Sequence, residues 1–140
     1  MPGTASASAC MFCDLLGGEG ELSVAASDAL TVALMDAFPV APGHVLVVPR
    51  RHVPSLHDLT PDEGSALWDM THLMARRVKA RHAPAVNLHL SDGAAAEQDV
   101  PHIHMHVIPR HADDSVSIEL PGQQVSRDEL DRVAASLALD

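Results

Sequence analysis

Apolar positions change their period several times along the chain. Glu21–Ala26 and Ala29–Met35 are short, alternating to apolar, with Ser27 and Asp28 between them, the pattern of two strands joined as a hairpin. Phe38-Pro39-Val40-Ala41-Pro42-Gly43 is punctuated as a loop. His44–Val48 (HVLVV) is a β-branched run closed by Pro49 and predicts a buried strand. Thr60-Pro61-Asp62-Glu63 then opens a helix, with Thr60 as cap, Pro61 in the first turn and Glu63 completing a capping box. Leu67, Met70, Leu73, Met74 and Val78 follow at helical spacing, and Arg76, Arg77, Lys79 and Arg81 gather at the end where cations suit the dipole. The helix is expected to stop before Pro84. Val86–Leu90 predicts a strand, Ser91–Val100 a polar turn segment around Gly93, and His102–Ile108 the last strong strand. Ser126-Arg127-Asp128-Glu129 repeats the capping signature and starts a short helix to about Leu137. Strands and helices do not alternate strictly, so the expected class is α+β with a mostly antiparallel five-stranded sheet. Residues 1–9 are small and polar and read as a flexible tail; residues 10–140 form one domain.

Composition narrows the function classes. Tyr is absent and aromatics are 2%, so the core must come from Val, Leu, Ile, Ala and Met. The formal net charge of −10 argues against nucleic-acid or anionic-membrane binding, which needs a basic surface. A small phosphorylated ligand is still compatible, because it needs only local donors. No apolar stretch reaches the roughly 18 residues of a membrane span, and the first residues lack a signal-peptide pattern. Cys10 and Cys13 are the only cysteines and too close to staple a fold, so the chain is expected to be intracellular and cytoplasmic.

Ten histidines in 140 residues are unusual, and three fall in His102-Ile103-His104-Met105-His106-Val107-Ile108. In a strand, alternate residues share a face, so three imidazoles are expected in a row about 7 Å apart, with Ile103, Met105 and Val107 anchoring the other face. By itself this pattern fits a metal-binding strand as readily as a catalytic one.

Other motifs change that balance. His44 in Pro42-Gly43-His44-Val45-Leu46-Val47-Val48-Pro49, Asp36 before it, Asn87 in Val86-Asn87-Leu88, Gln98 ahead of His102, and Pro109-Arg110 after the histidines together resemble the histidine triad (HIT) family. The resemblance runs from about Cys10 to Arg110. It implies a HIT-like fold and an enzyme that cleaves nucleoside phosphoramidates or dinucleoside polyphosphates at the α-phosphorus. The middle histidine, here His104, matches the nucleophile that forms a nucleotidyl-histidine intermediate, its other ring nitrogen held by a backbone carbonyl. His106, His44 and His102 match its catalytic companions, with His106 and His44 supplying protons and positive charge. Asp36 matches the ribose-binding position, and Asn87 and Gln98 the polar groups near the phosphate. The substrate implied is a purine nucleotide with an AMP-type product, and the assembly implied is a homodimer. The chain departs from the family pattern where Glu97 and Asp99 flank Gln98, places usually held by a small residue and by Ser or Thr. An ionised Asp99 cannot donate to a leaving group, which leaves open a low-turnover nucleotide-binding module.

Cys10-Met11-Phe12-Cys13 has zinc-ligand spacing, though two cysteines alone also fit free thiols. The resemblance completes the set with His52 and His102, giving a structural Cys₂His₂ zinc site. No organic cofactor is expected.

Overall fold

The computed structural model describes residues 10–139; the expected tail at 1–9 lies outside the described residues. Five strands form one antiparallel sheet: β1 (Val24–Ser27), β2 (Thr31–Met35), β3 (Val45–Pro49), β4 (Ala85–His89) and β5 (Met105–Arg110), in the order β1-β2-β3-β5-β4. The β1–β2 hairpin turns at Asp28, whose carboxylate accepts from the Leu30 and Thr31 amides at 2.9 and 2.7 Å. Among the described residues three α-helices complete the fold: α1 (Met11–Leu16), α2 (Pro61–Arg81) and α3 (Arg127–Leu137).

The strand period decides which side chains meet which helix. Ala33, Val45, Val47 and Val107 face α2, which answers with Leu67, Met70, Met74 and Val78. Each of these large side chains contributes about 1.5–3 kcal/mol by burial. Val32, Leu34, Leu46 and Val48 point to the opposite face and pack on Cys10 and Phe12 at the start of α1. The sheet thus carries a core on both sides. Helix α1 is too short for a helical period to show in sequence; the Cys10 sulfur caps it, accepting from the Cys13 amide at 3.4 Å. Helix α3 begins at Ser126, whose hydroxyl accepts from the Glu129 amide, and is exposed throughout. No helix among the described residues is long and apolar enough to cross a membrane.

The predicted capping box on α2 is formed in both directions: the Glu63 amide donates to the Thr60 hydroxyl at 3.1 Å and the Thr60 amide to Glu63 Oε1 at 2.9 Å. The same carboxylate accepts two bonds from Arg51, at 2.7 and 3.0 Å. Glu63 is buried, and these donors hold its carboxyl down at about 2. The clamp fixes the chain just after β3, one residue before His52.

Glu63→Gln is expected to cost about 1–2 kcal/mol at pH 7, since it weakens charge-assisted bonds to a half-exposed arginine. The carboxyl is more acidic folded than unfolded, so its contribution is complete above about pH 4.5 and is lost as pH falls toward 2. Thermal melts of both proteins at pH 7 and near pH 3 check this: the difference in Tm must narrow at the lower pH.

Candidate active site and metal centre

Strand β5 begins at Met105, three residues later than the sequence pattern predicts. His102 and Ile103 instead bond outside the ladder, their amides donating to Val100 O at 2.8 Å and Val53 O at 2.7 Å. The three imidazoles are therefore not an even row. The His102 ring turns to Cys10, Cys13 and His52, while the His104 and His106 rings lie 5.1 Å apart between centroids. Leaving the ladder early frees the His102 carbonyl, which accepts from His104 Nδ1 at 2.8 Å. A carbonyl only accepts, so Nδ1 carries the proton and Nε2 keeps its lone pair. His104 is buried, with the Phe12 ring 5.0 Å away. Ile103 and Val107 anchor the opposite face, as the alternation requires.

A second chain of bonds fixes His106. The Val40 amide donates to His44 Nδ1 at 3.2 Å, so the His44 proton sits on Nε2, which lies 2.9 Å from His106 Nδ1. His106 accepts there and presents Nε2–H as its free donor. Burial pushes the His44 pKa down, and burial with neighbouring imidazoles pushes that of His106 down to about 4. Both shifts favour the neutral rings, which offer hydrogen bonds. Gly43 turns the chain into His44 and lets His82 pack against the turn: its φ of +97° suits glycine, and a Cβ there meets the His82 ring at 3.2 Å. Asp36 Oδ2 lies 3.4 Å from His44 Nε2, and Oδ1 accepts from the Phe38 amide at 2.8 Å. Asp36 is thus both a turn residue and a carboxylate at the site.

The segment between β4 and β5 closes the other side. Gln98 is spent on the loop itself: Oε1 accepts from the Gly93 amide at 2.8 Å, and Nε2 donates to Pro54 O and Val100 O at 2.9 and 3.1 Å. The expected phosphate-side amide is a clamp because all its bonds are internal. Beside it, Glu97 takes a left-handed conformation (φ 64°), tolerated within the clamped turn. Asp99 is 81% exposed at its side chain, and its Oδ1 lies 3.6 Å from His104 Nε2.

Asn87 lies on the histidine face of β4 but opposite Ile108, and its Oδ1 accepts from Arg110 at 2.6 Å. The register brings His89 opposite His106 instead, with ring centroids 5.8 Å apart, and Ser91 Oγ lies 3.3 Å from His89 Nε2. Sequence reading missed His89 and Ser91. The signal available was the strand period, which puts His89 on the same face as Asn87.

A cavity of about 720 Å³ is floored by Leu34 and Leu46, walled by Phe12, Leu15 and Leu22, and edged by Phe38 and Asp36. It meets the histidines through two of these side chains: the Phe12 ring is 5.0 Å from that of His104, and Asp36 Oδ2 is 3.4 Å from His44 Nε2. This size suits a small-molecule site.

On the other flank of Phe12, the ligand atoms of Cys10, Cys13, His52 and His102 lie within 4.8 Å of one another. Cys13 Sγ is 3.1 Å from His52 Nδ1, and His102 Nδ1 is 3.4 and 3.6 Å from the two sulfurs. Tetrahedral zinc with bonds of about 2.1–2.3 Å needs spacings of this order. His102 Nε2 donates to Pro49 O at 2.7 Å, which leaves Nδ1 unprotonated toward the sulfurs. Without an ion, burial and Cys10 push the Cys13 thiol up to about 11. The donor set fits a divalent soft-to-borderline cation.

Comparison with known proteins agrees with this architecture. The family model described as "HIT domain" matches residues 18–113. The bis(5'-nucleosyl)-tetraphosphatase of Schizosaccharomyces pombe is 39% identical over 71% of this chain and 56% of its own length. The chain therefore spans about half the length of that curated relative. The adenosine 5'-monophosphoramidase of the same yeast is 31% identical, covering 86% of this chain and 90% of its own. The crystal structure of a zinc-bound histidine triad family protein from Mycobacterium smegmatis superposes with a TM-score of 0.74 at 30% identity, covering 93% of each chain. On a family match spanning all five strands and the histidine cluster, the chain belongs to the HIT domain family.

Proposed function

We propose that the protein is a hydrolase that cleaves adenosine nucleotides at the α-phosphorus through a nucleotidyl-His104 intermediate. The observation that carries this reading is the 2.8 Å bond between His104 Nδ1 and the His102 carbonyl, which keeps a lone pair on Nε2 of a buried ring packed against Phe12, a wall of the nucleoside-sized cavity. The names of the two yeast relatives, a tetraphosphatase and a monophosphoramidase, support the substrate class.

In the first step His104 Nε2 forms a bond to the α-phosphorus. The bond to the leaving group breaks, and the leaving atom departs with the electron pair and takes a proton from solvent where it needs one. In the second step water attacks the same phosphorus, the P–Nε2 bond breaks, its electrons return to the ring, and the surplus proton goes to solvent. Splitting one displacement into two lowers each barrier. The neutral His106 Nε2–H is placed to donate to a non-bridging oxygen as charge builds there. Asp36 at the cavity edge offers a carboxylate oxygen to the ribose hydroxyls, and the apolar walls suit a base.

Cys10, Cys13, His52 and His102 are proposed to hold one structural zinc ion. When bound, the ion supplies a cross-link between the start of α1, the segment after β3 and the approach to β5. It takes no part in the reaction steps. Because His102 gives its ring to this cluster and its carbonyl to His104, the metal-binding residues also position the nucleophile.

His104→Ala is expected to lower kcat on an adenosine phosphoramidate by at least about a thousandfold, with nucleotide affinity within about tenfold of native. Steady-state kinetics with calorimetric titration of AMP checks this, and near-native kcat would falsify the role of His104. Elemental analysis is expected to find about one zinc per chain, and Cys10→Ser combined with Cys13→Ser to lose the metal and about 5 °C or more of Tm. A metal-free native preparation whose melting is indifferent to chelator removes the zinc assignment.

A further inference from the structure

A carboxylate lies against the lone pair of His104. Asp99 Oδ1 sits 3.6 Å from Nε2, within a segment pinned by Gln98 on both sides. An α-phosphoryl group bonded to Nε2 has Asp99 beside it, whatever the substrate. Its repulsion of the phosphoryl oxygens is common to all substrates, so discrimination comes from what the phosphorus carries on its far side.

The surroundings do not compensate the charge. The segment from Ser91 to Val100 carries Asp92, Glu97 and Asp99 and no cation. The chain has nine lysines and arginines. Four belong to the C-terminal half of α2, across the sheet from the histidine face. Arg51 is committed to Glu63, and Arg50 to the Asp28 carbonyl at the hairpin. Arg110 is the one on the histidine face of β5, and it is held by Asp114, Asn87 and the Val116 carbonyl. The remaining two lie on the exposed α3. A polyphosphate leaving group brings several negative charges to this rim, and the described residues place no unengaged arginine or lysine there to meet them.

We infer that Asp99 is a specificity-determining residue that directs the enzyme to leaving groups that are neutral or cationic, namely amines released from nucleoside phosphoramidates, and against polyphosphate leaving groups. This rests on the hydrolase reading above. In the favoured reaction the α-phosphorus–nitrogen bond breaks, the nitrogen keeps the electron pair and gains a proton from solvent, and the ammonium product forms on the far side of the phosphorus, where the field of the Asp99 carboxylate favours positive charge. A polyphosphate departing at the same place builds charge of the same sign as Asp99. Because the leaving group's charge changes as the bond breaks, the preference falls on the transition state as well as on binding.

The test compares kcat/KM of the full-length native protein, Asp99→Asn and Asp99→Ser on an adenosine 5'-phosphoramidate with an alkylamine leaving group and on diadenosine tetraphosphate. The native protein is expected to prefer the phosphoramidate. Both variants are expected to lower the ratio of the two kcat/KM values by about tenfold or more, chiefly by raising the tetraphosphate value. Added salt is expected to raise tetraphosphate turnover in the native protein and to do so less in Asp99→Asn, since screening weakens repulsion at an exposed carboxylate. Asp99→Asn keeps the side-chain shape, and circular dichroism with an unchanged Tm excludes a folding defect. Turnover of both substrates with an unchanged ratio in both variants overturns the assignment of Asp99 and leaves the hydrolase reading standing. A native protein that turns over neither substrate overturns both.

Discussion

The bond from His104 Nδ1 to the His102 carbonyl is the constraint around which the site is arranged. A carbonyl inside a fully paired strand spends its acceptor capacity on the ladder. Here the chain leaves the ladder before Met105, and the amides of His102 and Ile103 bond to Val100 and Val53 instead. One residue then serves two ends. The His102 ring closes the Cys₂His₂ cluster, braced by Pro49 O, while its carbonyl sets the tautomer of the next histidine but one. Phe12 fills the space between, its ring 5.7 Å from His102 and 5.0 Å from His104. Moving His102 therefore disturbs the Cys₂His₂ cluster, the wall of the cavity and the His104 ring together.

The electrostatic design uses few charges. The tautomers of the two imidazoles beside His104 are set from a backbone group: Val40 N–H for His44, and through it His106. Neutral donors fixed in a buried setting need little reorganisation when charge develops on phosphorus. Carboxylates stand close to two of the histidines: Asp36, 3.4 Å from His44 Nε2, and Asp99, 3.6 Å from His104 Nε2.

Much of the fold was legible because local and global signals agree. The capping box at Thr60–Glu63, the apolar period of α2 and the β-branched run at Val45–Val48 each specify the element that forms. The five strands and their α+β arrangement follow from such runs. Helix α1 was not legible, since six residues capped by a cysteine show no period. The start of β5 was misplaced because the alternation His-x-His-x-His continues through residues whose amides bond elsewhere. At the site, the two histidine clusters were readable from motifs, but the partners of Asn87 and Gln98 were not. Those depend on strand register and on a loop clamp, both set by contacts distant in sequence. His89 illustrates the same limit: only pairing with β5 brings it to His106.

The central claim is that His104 Nε2 takes the nucleotidyl group. The most direct measurement is rapid-quench peptide mapping by mass spectrometry during turnover of an adenosine phosphoramidate. The account predicts an AMP adduct on the peptide containing His104, acid-labile and base-stable as a phosphorus–imidazole bond requires, and absent from His104→Ala. An adduct on another residue, or active turnover with no adduct under conditions that preserve such a bond, contradicts it.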